Sequence, residues 1–351
     1  MPFSKSTGSV WGLAQRGDAA ALDALLHSER TSPGERTWAL EVAARNDHVD
    51  AVAVLLRHGP LVEASEQDRV TVFGPLQWAA IHGSYRAAAV LLNARADVDR
   101  FCQESGGWVS GSMCSAAAKM GHVHMVALAV EAGANVHALA GYQKCSPIHI
   151  AARQGQTEVI EYLLRVKVSV HHQNGEGETC LEIAASRGHE PAVALLLAAK
   201  ASVLQRRNGR SALDLACGVV GNLGVVERLL AAGSAVDADG LEWWIWTPLR
   251  SAAHDGDAKV VARLLRARAC VDAQTLDGWT ALSTAAYRMT RGVMHFVEQA
   301  KICRRVVDVL LRAKACVDEH TFLGQRTTKL LAERYYGTGA ASAAPLSGPA
   351  A

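Results

Sequence analysis

The sequence predicts an all-α fold: a repeat array of helix pairs, about eight copies long. Three observations carry this. An Ala-Ala pair or close variant, followed in most copies three residues later by Gly or Asp, recurs along the 351-residue chain. Its second member falls at Ala44, Ala80, Ala118, Ala152, Ala185, Cys217, Ala253 and Ala286, giving intervals of 36, 38, 34, 33, 32, 36 and 33 residues. A pair of large apolar residues keeps step with it: Leu55-Leu56, Leu91-Leu92, Ala129-Val130, Leu163-Leu164, Leu196-Leu197, Leu229-Leu230, Leu264-Leu265 and Leu310-Leu311. Such periods mark stacked units, each too small to bury its apolar face alone. Composition is the third observation. At 50% hydrophobic and 5% aromatic, the chain is too apolar to be disordered and too poor in aromatics for a large β-sandwich or barrel.

Within each period the chemistry reads turn, short helix, tight turn, second helix. In Ser146-Pro147-Ile148-His149-Ile150-Ala151-Ala152-Arg153-Gln154-Gly155, Ser146 suits the N-cap. Pro147 suits the first helical position, where its missing N–H costs nothing. The alanines let neighbouring helices approach, and Gly155 permits the positive φ that ends the helix. Val159-Ile160 and Leu163-Leu164 then lie on one face of a second helix.

This stretch, with Thr247-Pro248-Leu249-Arg250-Ser251-Ala252-Ala253-His254-Asp255-Gly256-Asp257, resembles the ankyrin repeat, and the resemblance covers roughly residues 9–337. It implies a solenoid of helix pairs with β-hairpin-like fingers projecting at right angles and a cap at each end, with the following organisation. Residues 1–36 form an N-terminal capping half-repeat, since Val10 to Asp18 with Leu25-Leu26 resembles a shortened first repeat. Residues 37–326 form the array, 327–337 a C-terminal capping helix, and 338–351 a disordered tail of small uncharged residues. The family's signature histidine, which braces adjacent repeats, survives only as His149; Glu41, Gln77, Ser115, Glu182, Asp214, Arg250 and Ser283 replace it, so the bracing must be weaker or differently made. The sixth repeat has an extra residue between its helices, in Cys217–Gly221. The eighth carries an insertion around 289–305, read as lengthened helices because Val293, Phe296, Val297 and Ala300 keep helical spacing.

Motifs for chemistry are missing. There is no Gly-Lys, no G-x-G-x-x-G and no G-x-S-x-G. No catalytic residue and no cofactor are expected. The nearest metal-like groupings are His122-x-His124, His171-His172 and Cys145-x-x-x-His149, and each is better explained by the repeat, so no metal site is expected either. The eight cysteines contain no C-x-x-C. Cys114, Cys180 and Cys217 fall at positions that ankyrin repeats bury, while Cys270 and Cys316 share one repeat position, which suggests small-hydrophobe packing. The start of the chain lacks a signal-peptide core and no segment suits a membrane helix, so the expectation is a cytoplasmic monomer with reduced thiols, the nucleus also being open. Balanced charge, 36 basic against 34 acidic residues, speaks against a nucleic-acid partner.

What remains is surface. The resemblance implies that the residues between Ala-Ala and Gly line a concave groove, which would stack Arg45, His82, Lys119, Arg153, Arg187, His254 and Arg288 on one face. An acidic peptide or protein surface suits such a groove. Three fingers are extended, at 61–74, 97–112 and 234–247. They carry Phe73, then Phe101 and Trp108, then Trp243, Trp244 and Trp246; Trp279 ends the next finger. Tryptophan is a common interface anchor, although at least one of the Trp243–Trp246 group should fold back because an extended strand alternates its faces. The expected function is a non-enzymatic interaction scaffold or adaptor binding a protein partner through fingers and groove. The alternatives are a regulatory subunit, inhibitory or targeting, of an enzyme, or an enzyme in its own right.

Overall fold

A computed structural model of the protein describes residues 8–28, 31–59, 73–103, 110–140, 144–207, 209–237, 246–274, 278–291 and 297–316. The chain divides into two compact units, residues 1–180 with 198–200, and residues 181–197 with 201–351. The first unit holds α1 (Val10–Arg16), α2 (Ala19–Ser28), α3 (Pro33–Arg45), α4 (Val49–Arg57), α5 (Pro75–His82), α6 (Tyr85–Asn93), α7 (Met113–Met120), α8 (Val123–Glu131), α9 (Pro147–Gln154) and α10 (Thr157–Arg165). The second holds α11 (Cys180–Arg187, from Leu181 on), α12 (Glu190–Ala198), α13 (Ala212–Cys217), α14 (Leu223–Ala231), α15 (Pro248–Asp255), α16 (Ala258–Arg266), α17 (Ala281–Arg291) and α18 (Val297–Arg312).

The helices pair as the two markers require. First helices are buried almost all round: in α7 every residue from Met113 to Ala118 is inside, because small side chains let α5 and α9 close on both flanks. Second helices bury one stripe only, Val159, Ile160 and Leu163 in α10, and Val260, Val261 and Leu264 in α16. Between pairs lie hairpin-like fingers. Strands β1 (Cys102–Gln103) and β2 (Ser110–Gly111) pair antiparallel, as do β3 (Arg206–Arg207) and β4 (Arg210–Ser211), while Ala140–Cys145 and Gln173–Thr179 form single bridges.

Three expectations need adjustment. The N-terminal element is a complete helix pair, α1 and α2, rather than a half-repeat. The boundary expected at 36/37 falls inside α3, which begins at Pro33 behind a Ser32–Glu35 capping box. The Ser146 hydroxyl does not cap α9 but bonds His149 Nδ1 at 2.8 Å. The eighth pair has lengthened helices on both sides of its insertion, 11 and 16 residues against 8 and 9 in α15 and α16. The C-terminal capping helix and the tail lie outside the described residues.

A ladder of side-chain bonds ties neighbouring pairs at one repeat position. In the first unit His48 Nε2 lies 3.0 Å from Gln15 O, the Ser84 hydroxyl donates to Arg45 O (2.8 Å), His122 Nε2 lies 3.1 Å from Ile81 O, and Gln156 Nε2 donates to Lys119 O (3.3 Å). In the second, Asn222 Nδ2 reaches Ala185 O and Ala216 O, both at 3.1 Å. Glycine is doubly required beneath this ladder. Gly121 has φ of 83°, and a Cβ there would collide with the Gln156 amide. The extra residue of the sixth repeat is absorbed locally: α13 ends at Gly218 with φ of −85°, and the left-handed turn is deferred to Gly221, whose N–H donates to Asp257 Oδ2.

Candidate interaction surface

The signature position shows how bracing is remade when histidine is lost. His149 is fully buried, with Nε2 2.9 Å from His172 O and Nδ1 facing Ser146. This pattern fits a neutral ring with its proton on Nε2, and burial pushes its pKa down to about 4. Gln77 stands at the same repeat position, and its Nε2 donates to Arg100 O at 3.1 Å, again a carbonyl 23 residues downstream. An amide thus does the work of the imidazole. Asp214 turns inward to cap its own helix through Ser211, and burial raises its pKa. Arg250 takes a third course. Only 5% exposed, its Nε donates to Thr284 Oγ1 (3.2 Å) and its guanidinium lies over the Trp246 ring, 4.6 Å from the centroid.

Around Arg250 the second unit assembles a patch. The His254 ring meets Trp246 edge-on at 4.8 Å, its Nδ1–H donates to Asp255 Oδ1 (2.9 Å), and Arg288 Nη1 donates to its Nε2 (3.3 Å). Trp279 stands edge-to-face with Tyr287 at 5.3 Å, and Arg250 lies 5.8 Å from the Trp279 ring. Trp246, His254, Trp279, Tyr287 and Arg288 are all half-buried, each keeping an outer edge in solvent. Two expected groove residues and two expected finger residues therefore form one cation–aromatic cluster. The expectation that one of the three clustered tryptophans folds back is met by Trp246; Trp243, Trp244 and Trp108 lie outside the described residues. Arg187, also in this unit, is exposed.

In the first unit, Arg45 is exposed with its guanidinium 5.5 Å over Trp78, and exposed His82 stacks with that indole at 5.9 Å. Partial desolvation beside the indole, and then the neighbouring Arg45, hold the His82 pKa below its usual value although the residue as a whole is exposed. Lys119 is half-buried, and Arg153 bends back to donate to Cys145 Sγ at 3.4 Å. Phe73 is a correction: at 6% exposure, edge-to-face with Trp78 at 5.5 Å, it packs at the foot of α5 and presents nothing to a partner. Phe101 is 52% exposed. A further concavity of about 610 Å³, not foreseen from the sequence, opens between α6 and α8 and is lined by Tyr85, His122, Val123, Leu128 and Glu131.

Four of the buried thiols are held in their protonated form. Burial lifts the Cys114 and Cys180 thiols to about 12 and raises those of Cys217 and Cys145 as well. Cys270 and Cys316 are a second correction, for both are exposed. Their shared position is used through the main chain: Cys270 N–H donates to the Asp237 carboxylate (3.1 Å) and Cys316 N–H to Asp272 (2.7 Å), just as Asn135 N–H donates to Asp99 (3.0 Å). The expected metal-like pairs have repeat-internal duties, His122 in the ladder and His149 with His172. One convergent trio was missed from the sequence: Asp23, His27 and His58, whose candidate ligand atoms all lie within 4.8 Å of one another. The signal was Asp23-x-x-x-His27, one turn apart on a helix; its third member lies 31 residues further on.

Three family models match the chain, described as ankyrin repeats (3 copies) over residues 148–239, ankyrin repeats (many copies) over 114–164, and ankyrin repeat over 245–276. The chain is 26% identical over 179 residues to a Caenorhabditis elegans homolog of the transient receptor potential cation channel subfamily A member 1, covering 51% of this chain and 14% of that one. It is 33% identical over 119 residues to the Mus musculus nuclear factor NF-kappa-B p105 subunit, covering 32% and 12%. It therefore spans only a small part of the length of these curated relatives. Among solved structures, the human ASB11 ankyrin repeat domain superposes with a TM-score of 0.54 at 23% identity, over 69% of this chain and 98% of that one. The recurring helix pairs, the hairpin-like fingers and these matches together make the chain an ankyrin repeat protein.

Proposed function

We propose that the protein is a non-enzymatic interaction scaffold or adaptor, acting as a monomer in the cytoplasm or nucleus, that engages an acidic protein or peptide partner. Ankyrin repeats generally mediate protein–protein interaction. The observation that carries the finer reading is the patch of Trp246, His254, Trp279, Tyr287 and Arg288, where aromatic edges and a guanidinium are held half-exposed over the buried Arg250. Tryptophan, tyrosine and arginine are the residue types that dominate interface energetics, and rigid presentation lowers the entropy cost of docking. The positive charge of Arg288 favours carboxylates opposite it.

The test is recovery of bound proteins from the native cell with the wild-type chain and with a Trp279→Ala, Arg288→Glu double variant. The helical circular dichroism of the variant is checked alongside. The reading expects the variant to stay folded and to lose the proteins that the wild type retains. A folded double variant that retains them all would sink it.

A further inference from the structure

We infer that Asp23, His27 and His58 form a binding site for a divalent first-row transition cation, which would clip α2 to the end of α4. The sequence builds it from two neighbouring helix pairs. Asp23 and His27 are one turn apart on α2 and share a face, and His58 is the residue that ends α4, against which α2 packs. The position of His58 is fixed from behind, because Arg36 Nη1 donates to its carbonyl at 2.8 Å.

Asp23 Oδ1 stands 2.9 Å from His58 Nε2 and 3.8 Å from His27 Nδ1. Zinc bonds of about 2.0–2.1 Å at tetrahedral angles place donor atoms roughly 3.3 Å apart, so these two separations bracket what a bound ion needs. Two imidazoles and one carboxylate suit zinc, copper or nickel and are poor donors for magnesium. Exposure leaves room for one or more waters: the His27 side chain is 68% exposed and that of Asp23 34%. His27 Nδ1 also lies 2.8 Å from Asp23 O, so turning the ring fully into the site breaks only one local bond. Loading clears the proton from between His58 Nε2 and Asp23: a charged ring releases it to solvent, and a neutral ring gives it up while Nδ1 takes one on, so that the ring stays neutral as the cation takes its place. Nearby Arg57 opposes a bound cation and sets the site toward modest affinity.

The test is calorimetric titration of the full chain with zinc chloride at pH 7.5, repeated with His27→Ala, Asp23→Asn and His171→Ala. Magnesium chloride is the control salt. The proposal expects one zinc per chain, no heat from magnesium, at least tenfold weaker binding in the first two variants, and wild-type binding in His171→Ala, an exposed imidazole elsewhere in the same unit. His27→Ala keeps the His58–Asp23 contact and so tests the site even if Asp23→Asn misfolds. No zinc uptake by the wild type overturns the proposal. So does zinc binding that His27→Ala leaves intact, which would mean an adventitious ion only, spread over other imidazoles.

Discussion

Replacing His149 by Gln should remove a pH dependence without removing the brace. In the folded chain the ring is fully buried and held between Ser146 and the His172 carbonyl, with a pKa of about 4 against 6.5 when solvated. Between those values the unfolded chain binds a proton that the folded chain excludes, so the stability of this region rises with pH across the window. It is complete above about pH 6.5, falls as pH drops through that value, and flattens below about 4. At about 1.36 kcal/mol per unit the full swing is on the order of 3 kcal/mol, of which about 2 is already lost at pH 5. His172, Arg153 and Glu178 contribute smaller effects on the ring, Arg153 in the same direction as burial and Glu178 against it. Gln77 shows that an amide at this repeat position reaches the equivalent carbonyl at 3.1 Å. Urea unfolding from pH 7.5 to 4.5, followed through hydrogen exchange in α9 and α10, should therefore show a steep loss for the wild type. The slope should be much shallower for His149→Gln, with similar protection at pH 7.5. His149→Ala should be weaker throughout, by about 1–3 kcal/mol for each buried polar group left unsatisfied. Equal slopes for wild type and His149→Gln would refute the argument, since Asp214, whose pKa burial raises, acts with the opposite sign and is common to both.

Other outcomes follow from the same geometry. Titration of the native chain with a thiol reagent should register two fast-reacting cysteines, Cys270 and Cys316, and the remaining six only on unfolding; six fast thiols would mean the helix pairs are looser than described. Arg250→Lys should destabilise the second unit by about 1–2 kcal/mol in denaturant melts, because an ammonium cannot both lie flat on Trp246 and reach Thr284; an unchanged midpoint would show that the stacking is idle. Lys167 sits in the left-handed region at φ of 66°, so Lys167→Gly should stabilise by roughly 0.5 kcal/mol, and a clear loss would mean its side chain carries an unseen contact.

How much of this was legible in the sequence follows from which physics leaves a one-dimensional trace. Ala-Ala and Leu-Leu report burial at a fixed spacing, and the helix pairs lie where those markers put them, because in a stacked array each residue's surroundings repeat with the period. Failures cluster where a residue's fate depends on a partner outside its own motif. Phe73 reads as a loop aromatic, yet Trp78 begins a turn later and covers it. Cys270 and Cys316 share a position, and shared position was read as shared packing, whereas what repeats there is a backbone N–H answered by an aspartate of the preceding finger.

Arg250 carries the point furthest. Arginine in place of a signature histidine looks like a lost brace and a buried charge in need of an acidic partner. Trp246 and Thr284 supply part of its surroundings, a π-face and a hydroxyl drawn from a finger and the next repeat. Burying a guanidinium on those terms costs less than burying an ammonium, because its charge is spread and weakly hydrated. It also fixes where the outer edges of Trp246 and His254 come to rest. A substitution that breaks the family pattern in one repeat thus assembles a half-buried cation–aromatic cluster, the patch we propose for docking, whereas Gln77 and His149 at the same repeat position each reach a carbonyl 23 residues downstream.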